Sequence, residues 1–285
     1  MSRISPDVPA TNPAPLTLVT EDGFPISGTR WLARGTHRGI VLIAPATGVP
    51  QRFYNPFAGF LCGKGFDVLT WDWRGIGESR HDASHRDPRL RMRAWGEQDL
   101  TAAIAWADRS RGPGRIVFVG HSFGGQALGL APNAGLVRRA AFIASQHGWL
   151  GNWPRYKQPA LALFFHLAMP LAARILGHFP SSRVGLGEDL PEGVALEWAR
   201  WCRSREYHGT WTGHAQLELP LLVLSFDDDP IAPERAAAAL VAKYARARAR
   251  HIHRPAEGLG HFGFFRAGRA PALWDEVAEF LLAEE

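Results

Sequence analysis

Residues Ile116 to Leu130 read IVFVGHSFGGQALGL, an apolar run that passes through a glycine-flanked serine into a segment of helical character. The opening residues are apolar without alternation, as expected of a strand covered on both faces in a parallel sheet. Ser122 stands between Gly120 and Gly124, and two readings of it compete. Gly-rich turns often follow strands, and a serine hydroxyl there satisfies nearby backbone groups. In the other reading the chain turns from strand to helix so sharply that the serine is lifted above the sheet edge, where only small neighbours fit. The five residues of G-x-S-x-G do not choose between these, so the choice falls to the rest of the chain.

Outward from this stretch, strand-like runs occur at LTLV (Leu16), GIVLIAP (Gly39), FDVLTWDW (Phe66), AAFIAS (Ala140), LLVLSF (Leu221) and ARHIHRP (Ala249). Helical periodicity separates them in RFYNPFAGFLCGKG, AWGEQDLTAAIAWADR, PERAAAALVAKYARARAR and the terminal PALWDEVAEFLLAEE. Strands alternating with helices imply a mostly parallel sheet with right-handed crossovers and helices on both faces. The segment around EDGFP, residues 21–25, carries a turn signal between two strand candidates and predicts an antiparallel hairpin at the sheet edge. The alternation stops after Ser145 and resumes near Leu219, so residues 146–218 read as an insertion packed on a core of 15–145 and 219–285. The opening residues 1–14 have no apolar core segment; they read as a disordered leader and not as a secretory signal.

At 285 residues the chain can bury a real core, and 46% apolar with 21% charged residues match a folded globular protein. The net charge of +5 comes from scattered arginines, with Lys64, Lys157 and Lys243 the only lysines. The run YARARAR ending at Arg250 follows an alanine-rich stretch, where cations suit a helix C-terminus. It carries no nucleic-acid motif, so no nucleic-acid partner is expected. Cys62 and Cys202 stand far apart, which suits a reducing compartment, and a cytoplasmic location is expected. The apolar segment from Pro159 to Gly177 is interrupted by His166, Pro170 and Arg174, which predicts a buried or interfacial helix pair and no stable membrane insertion. A homodimer is left open.

A serine hydroxyl is a weak nucleophile at neutral pH and needs an adjacent base, itself oriented by a carboxylate. Both stand downstream. LLVLSFDDDPIAP ends a strand in three aspartates, and AEGLGHFGFF sets His261 between glycines after the last strand. The aspartates also suit a strand-end turn with helix capping before Pro233, a reading compatible with catalysis by one of them.

GHSFGG at Gly120, DWRGIGES at Asp72, DDDPIAP at Asp227 and GHFGFF at Gly260, in this order, resemble the α/β-hydrolases. Within them they resemble the branch holding monoacylglycerol lipases and serine aminopeptidase-like enzymes. The resemblance spans nearly the whole chain outside the insertion. It implies an eight-stranded α/β-hydrolase fold with a helical cap, no metal or organic cofactor, and cleavage of a small-molecule carboxylic ester through an acyl-enzyme, with amide cleavage or acyl transfer by the same residues as the alternative. Ser122 would be the nucleophile, His261 the general base, and Asp229, four residues before Pro233, the orienting acid, with Asp228 its rival. One oxyanion donor would be the Phe123 N–H. The second would fall at Thr47, where relatives show His-Gly and this chain has Pro45-Ala46; Thr47 could offer its N–H, its hydroxyl, or only a turn. Asp72 and Arg74 would brace the loop near the serine.

Other motifs carry less. Gly75 and Gly77 lack the Lys-Ser/Thr or the dinucleotide spacing of a phosphate loop. His81 and His85 lack the partners of a metal site and read as loop residues. His251 and His253 share one face of a strand with no carboxylate partner in view, so they read as packing or surface histidines. The insertion holds Trp149, Trp153, Trp198, Trp201 and Trp211, read mainly as packing and otherwise as the wall of a hydrophobic pocket for an acyl or aryl ester. An aminopeptidase would instead need one of Glu188, Asp189, Glu192 or Glu197 to hold a substrate ammonium.

Overall fold

An apolar run with no polar face is stable as a strand only when helices cover both sides of its sheet. The computed structural model describes residues 13–81, 84–111, 115–209, 211–255 and 258–283. Its strands are β1 (Ala14–Val19), β2 (Pro25–Trp31), β3 (Ile40–Ala44), β4 (Asp67–Trp71), β5 (Ile116–His121), β6 (Val137–Ile143), the two-residue β7 (His178–Phe179) and β8 (Leu190–Pro191), β9 (Pro220–Phe226) and β10 (Arg248–Arg254). Eight of them form one sheet in the order β1-β2-β4-β3-β5-β6-β9-β10. β2 runs antiparallel to β1 and β4, and the six strands from β4 to β10 are mutually parallel. The eight-stranded α/β fold and the edge hairpin are therefore both present.

Every residue of β3, β4, β5 and β9 is buried. Along β5, Ile116 and Phe118 enter one core while Val117 and Val119 enter the other, as the two-residue period of a strand requires. The first core is closed by the Thr101–Arg111 and Glu234–Val241 helices and by the insertion. The second is closed by the Asn55–Gly63 and Pro271–Leu282 helices through Phe57, Leu61, Trp274 and Val277. Cys62 and Cys202 are buried and unpaired.

Three expectations need correction. The core begins at Ala14, already in β1, while residues 1–12 of the expected leader lie outside the described residues. The helix expected to run through YARARAR stops at Val241. Tyr244 is instead drawn under the serine-bearing turn, where its hydroxyl donates to Gly125 O (2.8 Å) and accepts from Gly129 N–H (3.1 Å). The following arginines enter β10, an edge strand whose charge discourages pairing with another chain. Finally, the apolar segment of the insertion is one helix, Gln158–Leu176, and not a pair. Pro170 lacks an N–H, and the wide π-turn Phe164–Ala168 just before it lets the helix pass without breaking.

Candidate active site

β5 ends at His121 and a helix begins at Phe123, so the whole reversal falls on Ser122, held at φ 52°, ψ −115°. A non-glycine residue there costs on the order of 1–3 kcal/mol, offset by the packing around it. The flanking glycines follow from contact distances. A Cβ on Gly120 would meet Gly125 N at 2.4 Å, and one on Gly124 would meet Ala44 O at 2.1 Å. Behind the turn, Phe123 packs edge-on against Trp73 and Trp95, which stack on each other with centroids 5.7 Å apart. The Trp73 indole donates to Pro45 O (3.0 Å), tying the loop after β3 to the same cluster.

The three aspartates after β9 take three different partners. Asp227 bonds His253 Nε2 (2.5 Å), and Ser225 bridges His251 Nε2 and His253 Nδ1 at 2.8 Å each. This corrects the view of those histidines as lacking a carboxylate: His253 pairs with Ser225 in the parallel register, and Asp227, two residues on and just past the end of β9, comes alongside it. Asp228 Oδ2 accepts from Gly260 N–H (3.0 Å) and thus holds the backbone of the loop carrying His261. Asp229 holds the ring. Its Oδ2 lies 2.8 Å from His261 Nδ1 while Oδ1 accepts from Ile231 N–H (2.8 Å) and Ala232 N–H (2.9 Å). A carboxylate is acceptor-only, so His261 carries its proton on Nδ1 and leaves Nε2 as a free acceptor.

Ser122, His261, Thr47, Gln126, Gln146, Trp198, Leu186, Ile231 and Phe262 surround one cavity of about 30 Å³. Ser122 (5% exposed), Asp229 (3%) and His261 (7%) are nearly shut from solvent. The hydroxyl of Ser122 is directed at Gln146 Oε1, a long contact of 3.5 Å, and makes no hydrogen bond to His261. The cavity is small, and Gln126 and Gln146 set two amides among walls that include Leu186, Trp198, Ile231 and Phe262. Of the five tryptophans in the insertion only Trp198 reaches it. Trp201 is core, while Trp153 and Trp211 donate to Pro230 O and Gly129 O. None of Glu188, Asp189, Glu192 and Glu197 lines it; they pair with Arg80, His178, Arg86 and Arg200.

Among the described residues, two N–H groups near Ser122 have no protein acceptor. Phe123 is the first residue of its helix, where no intrahelical acceptor exists. Thr47 sits in the Ala46–Val49 turn, and its N–H is unpaired, whereas the Ala46 N–H next to it is taken by the Tyr54 hydroxyl (2.8 Å). That hydroxyl also reaches His121 Nδ1 (2.9 Å), and His121 Nε2 meets His261 O at 2.8 Å. Since a carbonyl only accepts, His121 donates through Nε2 and receives the Tyr54 proton at Nδ1. Burial holds its pKa well below the ordinary imidazole value, aided by His261. Ala46, Tyr54, His121 and His261 therefore form one buried line joining the two loops that flank Ser122.

Asp72 and Arg74 lie behind the loops. Asp72 accepts from Gln51 N–H (2.6 Å) and Glu78 N–H (3.0 Å). Arg74, fully buried, bonds Asp99 at 2.7 Å and Asp22 at 2.6 Å. His81 bonds Pro25 O and His85 packs on His178; among the described residues no set of three His, Cys, Asp or Glu is arranged to hold a metal. Gln126, Gln146, Tyr54 and His121 were missed as site residues. Their signal is position alone: Gln126 lies one helical turn beyond Ser122, and Gln146 just past the carboxyl end of β6.

Fold and site together define an α/β-hydrolase. Residues 40–272 match the profile of the alpha/beta hydrolase family, and the chain belongs to it. The structure is similar to that of DcsB in complex with its substrate analogue (TM-score 0.68, 16% identity, covering 94% of this chain and 98% of that one). It is also similar to a putative non-heme bromoperoxidase, BpoC, of Mycobacterium tuberculosis (TM-score 0.60, 20% identity, 91% and 97% covered). An esterase of Exiguobacterium antarcticum is a further likeness (TM-score 0.62, 13% identity, 95% and 100% covered). No curated protein sequence matches the chain.

Proposed function

We propose that the protein is a serine hydrolase that cleaves carboxylic esters of short acyl chain through an acyl-enzyme, with residues 146–218 acting as a cap. The observation that carries this reading is the His261 ring: buried Asp229 fixes its Nδ1–H, so its free Nε2 belongs to the cavity that Ser122 enters. Rotation of the Ser122 hydroxyl away from Gln146 hands its proton to Nε2 as Oγ attacks the substrate carbonyl carbon. The carbonyl oxygen, now anionic, is met by the N–H groups of Phe123 and Thr47, a donor pair of which each member contributes about 3 kcal/mol to the transition state. Collapse breaks the bond to the alcohol oxygen, which leaves with the proton from His261. Water activated by the same imidazole then releases the acid.

The short acyl chain follows from volume. A water needs about 10–15 Å³ of such space, so about 30 Å³ admits only a small group, and a long hydrocarbon has no room without displacement of Leu186 and Trp198. The amides of Gln126 and Gln146 favour a polar group near the carbonyl. An aminopeptidase is the weaker alternative, since no carboxylate lines the cavity to hold an ammonium group. Likeness to an esterase agrees with the ester reading but is of fold alone at 13% identity. The test is a series of p-nitrophenyl esters. Acetate and propionate should be hydrolysed with kcat/KM falling as the chain lengthens, and Ser122→Ala should abolish turnover. Activity surviving in Ser122→Ala, or a preference for long chains, would refute the respective half of the proposal.

A further inference from the structure

The Gln158–Leu176 helix is long and apolar enough to cross a bilayer by length and composition. It nonetheless docks through Phe165, Met169 and Ala173 in the first core. Its other face is uncovered. Leu163, Leu167, Leu171 and Ile175 recur every four residues at 51–67% exposure, and Leu176, the next residue, is 50% exposed. A side chain repeated every four positions stays on one helical face, and contiguous exposed apolar patches mark a surface made to be covered.

The charges around that face say what covers it. No Asp or Glu occurs between Asp108 and Glu188, whereas Arg155 and Lys157 precede the helix and Arg174 and Arg183 border its far end. Among the described residues none of these four cations has a carboxylate within 4 Å. On the flank, a cleft of about 470 Å³ is lined by Arg91, His166 and Arg174, by Glu192, Glu197 and Arg203 of the next helix, and by Asp87. Glu192 and Glu197 pair with Arg86 and Arg200, and Asp87 pairs with Arg89, so among the described residues Arg91, Arg174 and Arg203 have no carboxylate within 4 Å.

We propose that this face docks on an anionic phospholipid surface, the leucine stripe entering the acyl boundary and the arginine-lined cleft taking headgroup phosphates. An apolar helix face rimmed by cations, lying flat in the interface, is the arrangement such surfaces hold. A second copy of the chain is a poorer partner, because it would set the same unpaired cations against one another. The docking is peripheral, since Phe165, Met169 and Ala173 stay in the first core, and it is independent of the proposed reaction because binding is read without turnover.

The experiment is flotation of the full chain with phosphatidylcholine vesicles, with and without phosphatidylglycerol. Partitioning should rise by about tenfold or more with the anionic lipid and fall as salt is added. Leu167→Ser with Leu171→Ser should abolish it, and Arg174→Gln with Arg183→Gln should remove the preference for the anionic lipid. All four positions are exposed, so unchanged circular dichroism melting checks that each variant folds. Absence of binding, equal binding to both vesicles, or variants that bind like the parent would overturn the proposal. So would a dimer in light scattering that the leucine pair converts to monomer, since a second copy would then own the face.

Discussion

At the residue scale the account turns on which atoms each side chain is free to use. Three successive aspartates share one turn, yet Asp229 alone touches the His261 ring, and Asp228 touches only the loop backbone. Asp229→Asn should therefore lower kcat by about 10⁴-fold, because an amide at that point selects the tautomer with the proton on the wrong nitrogen. Asp228→Asn keeps an acceptor for Gly260 N–H and should cost about tenfold at most. Steady-state kinetics on p-nitrophenyl acetate separate the two, and the reverse ranking would reassign the acid. The choice between these neighbours was not legible in the sequence. Their spacing to Pro233 favours Asp229, but whether a side chain points along or across the turn is decided by the Ile231 and Ala232 N–H groups that capture Asp229 Oδ1.

At the element scale, the strand-turn-helix unit was readable because each part has a local cause. β5 has no polar face, Gly120 and Gly124 admit backbone at less than 2.5 Å from where a Cβ would stand, and Phe123 opens the helix. The links between elements were not readable, because they join residues far apart in the chain. Tyr54 follows β3 and His261 follows β10, and only the fold places the hydroxyl of one and the carbonyl of the other on opposite sides of His121. Tyr54→Phe would leave the Ala46 N–H and His121 Nδ1 buried without partners. It should cost about 1–3 kcal/mol in urea unfolding. An unchanged midpoint would mean that the line carries no stability. The same limit explains the Gln158–Leu176 helix: its apolar character was visible, but which face meets the core depends on the helix Glu192–Arg203 that it packs against.

At the scale of the molecule, the fold class and the edge hairpin followed from the order of apolar runs. What composition could not reveal is how much titratable chemistry the core encloses. Burial lowers His147 and His214 to about 4, and holds His121 and His208 well below the ordinary value of 6.5. Between pH 6.5 and about 4 the unfolded chain binds protons at these four positions that the folded chain refuses. Stability they contribute is complete above 6.5 and is lost on acidification, at about 1.4 kcal/mol per pH unit for each proton. Two carboxyls oppose this: burial pushes Asp99 up to about 6 in spite of Arg74, and raises Asp72. With four groups against two, the Tm should fall between pH 6.5 and 5 in a differential scanning calorimetry series. A flat or rising Tm would show that the histidines are not enclosed as neutral rings.

The claim beneath all of this is that the strained serine at the end of β5 is a nucleophile activated by His261. A fluorophosphonate tests it without knowledge of the natural substrate. After reaction with the folded protein, digestion and mass spectrometry should find the phosphonyl adduct on the peptide carrying Ser122, at a rate reduced by orders of magnitude in His261→Ala. Folded protein that takes up no adduct, or takes it up on another residue, would contradict the account.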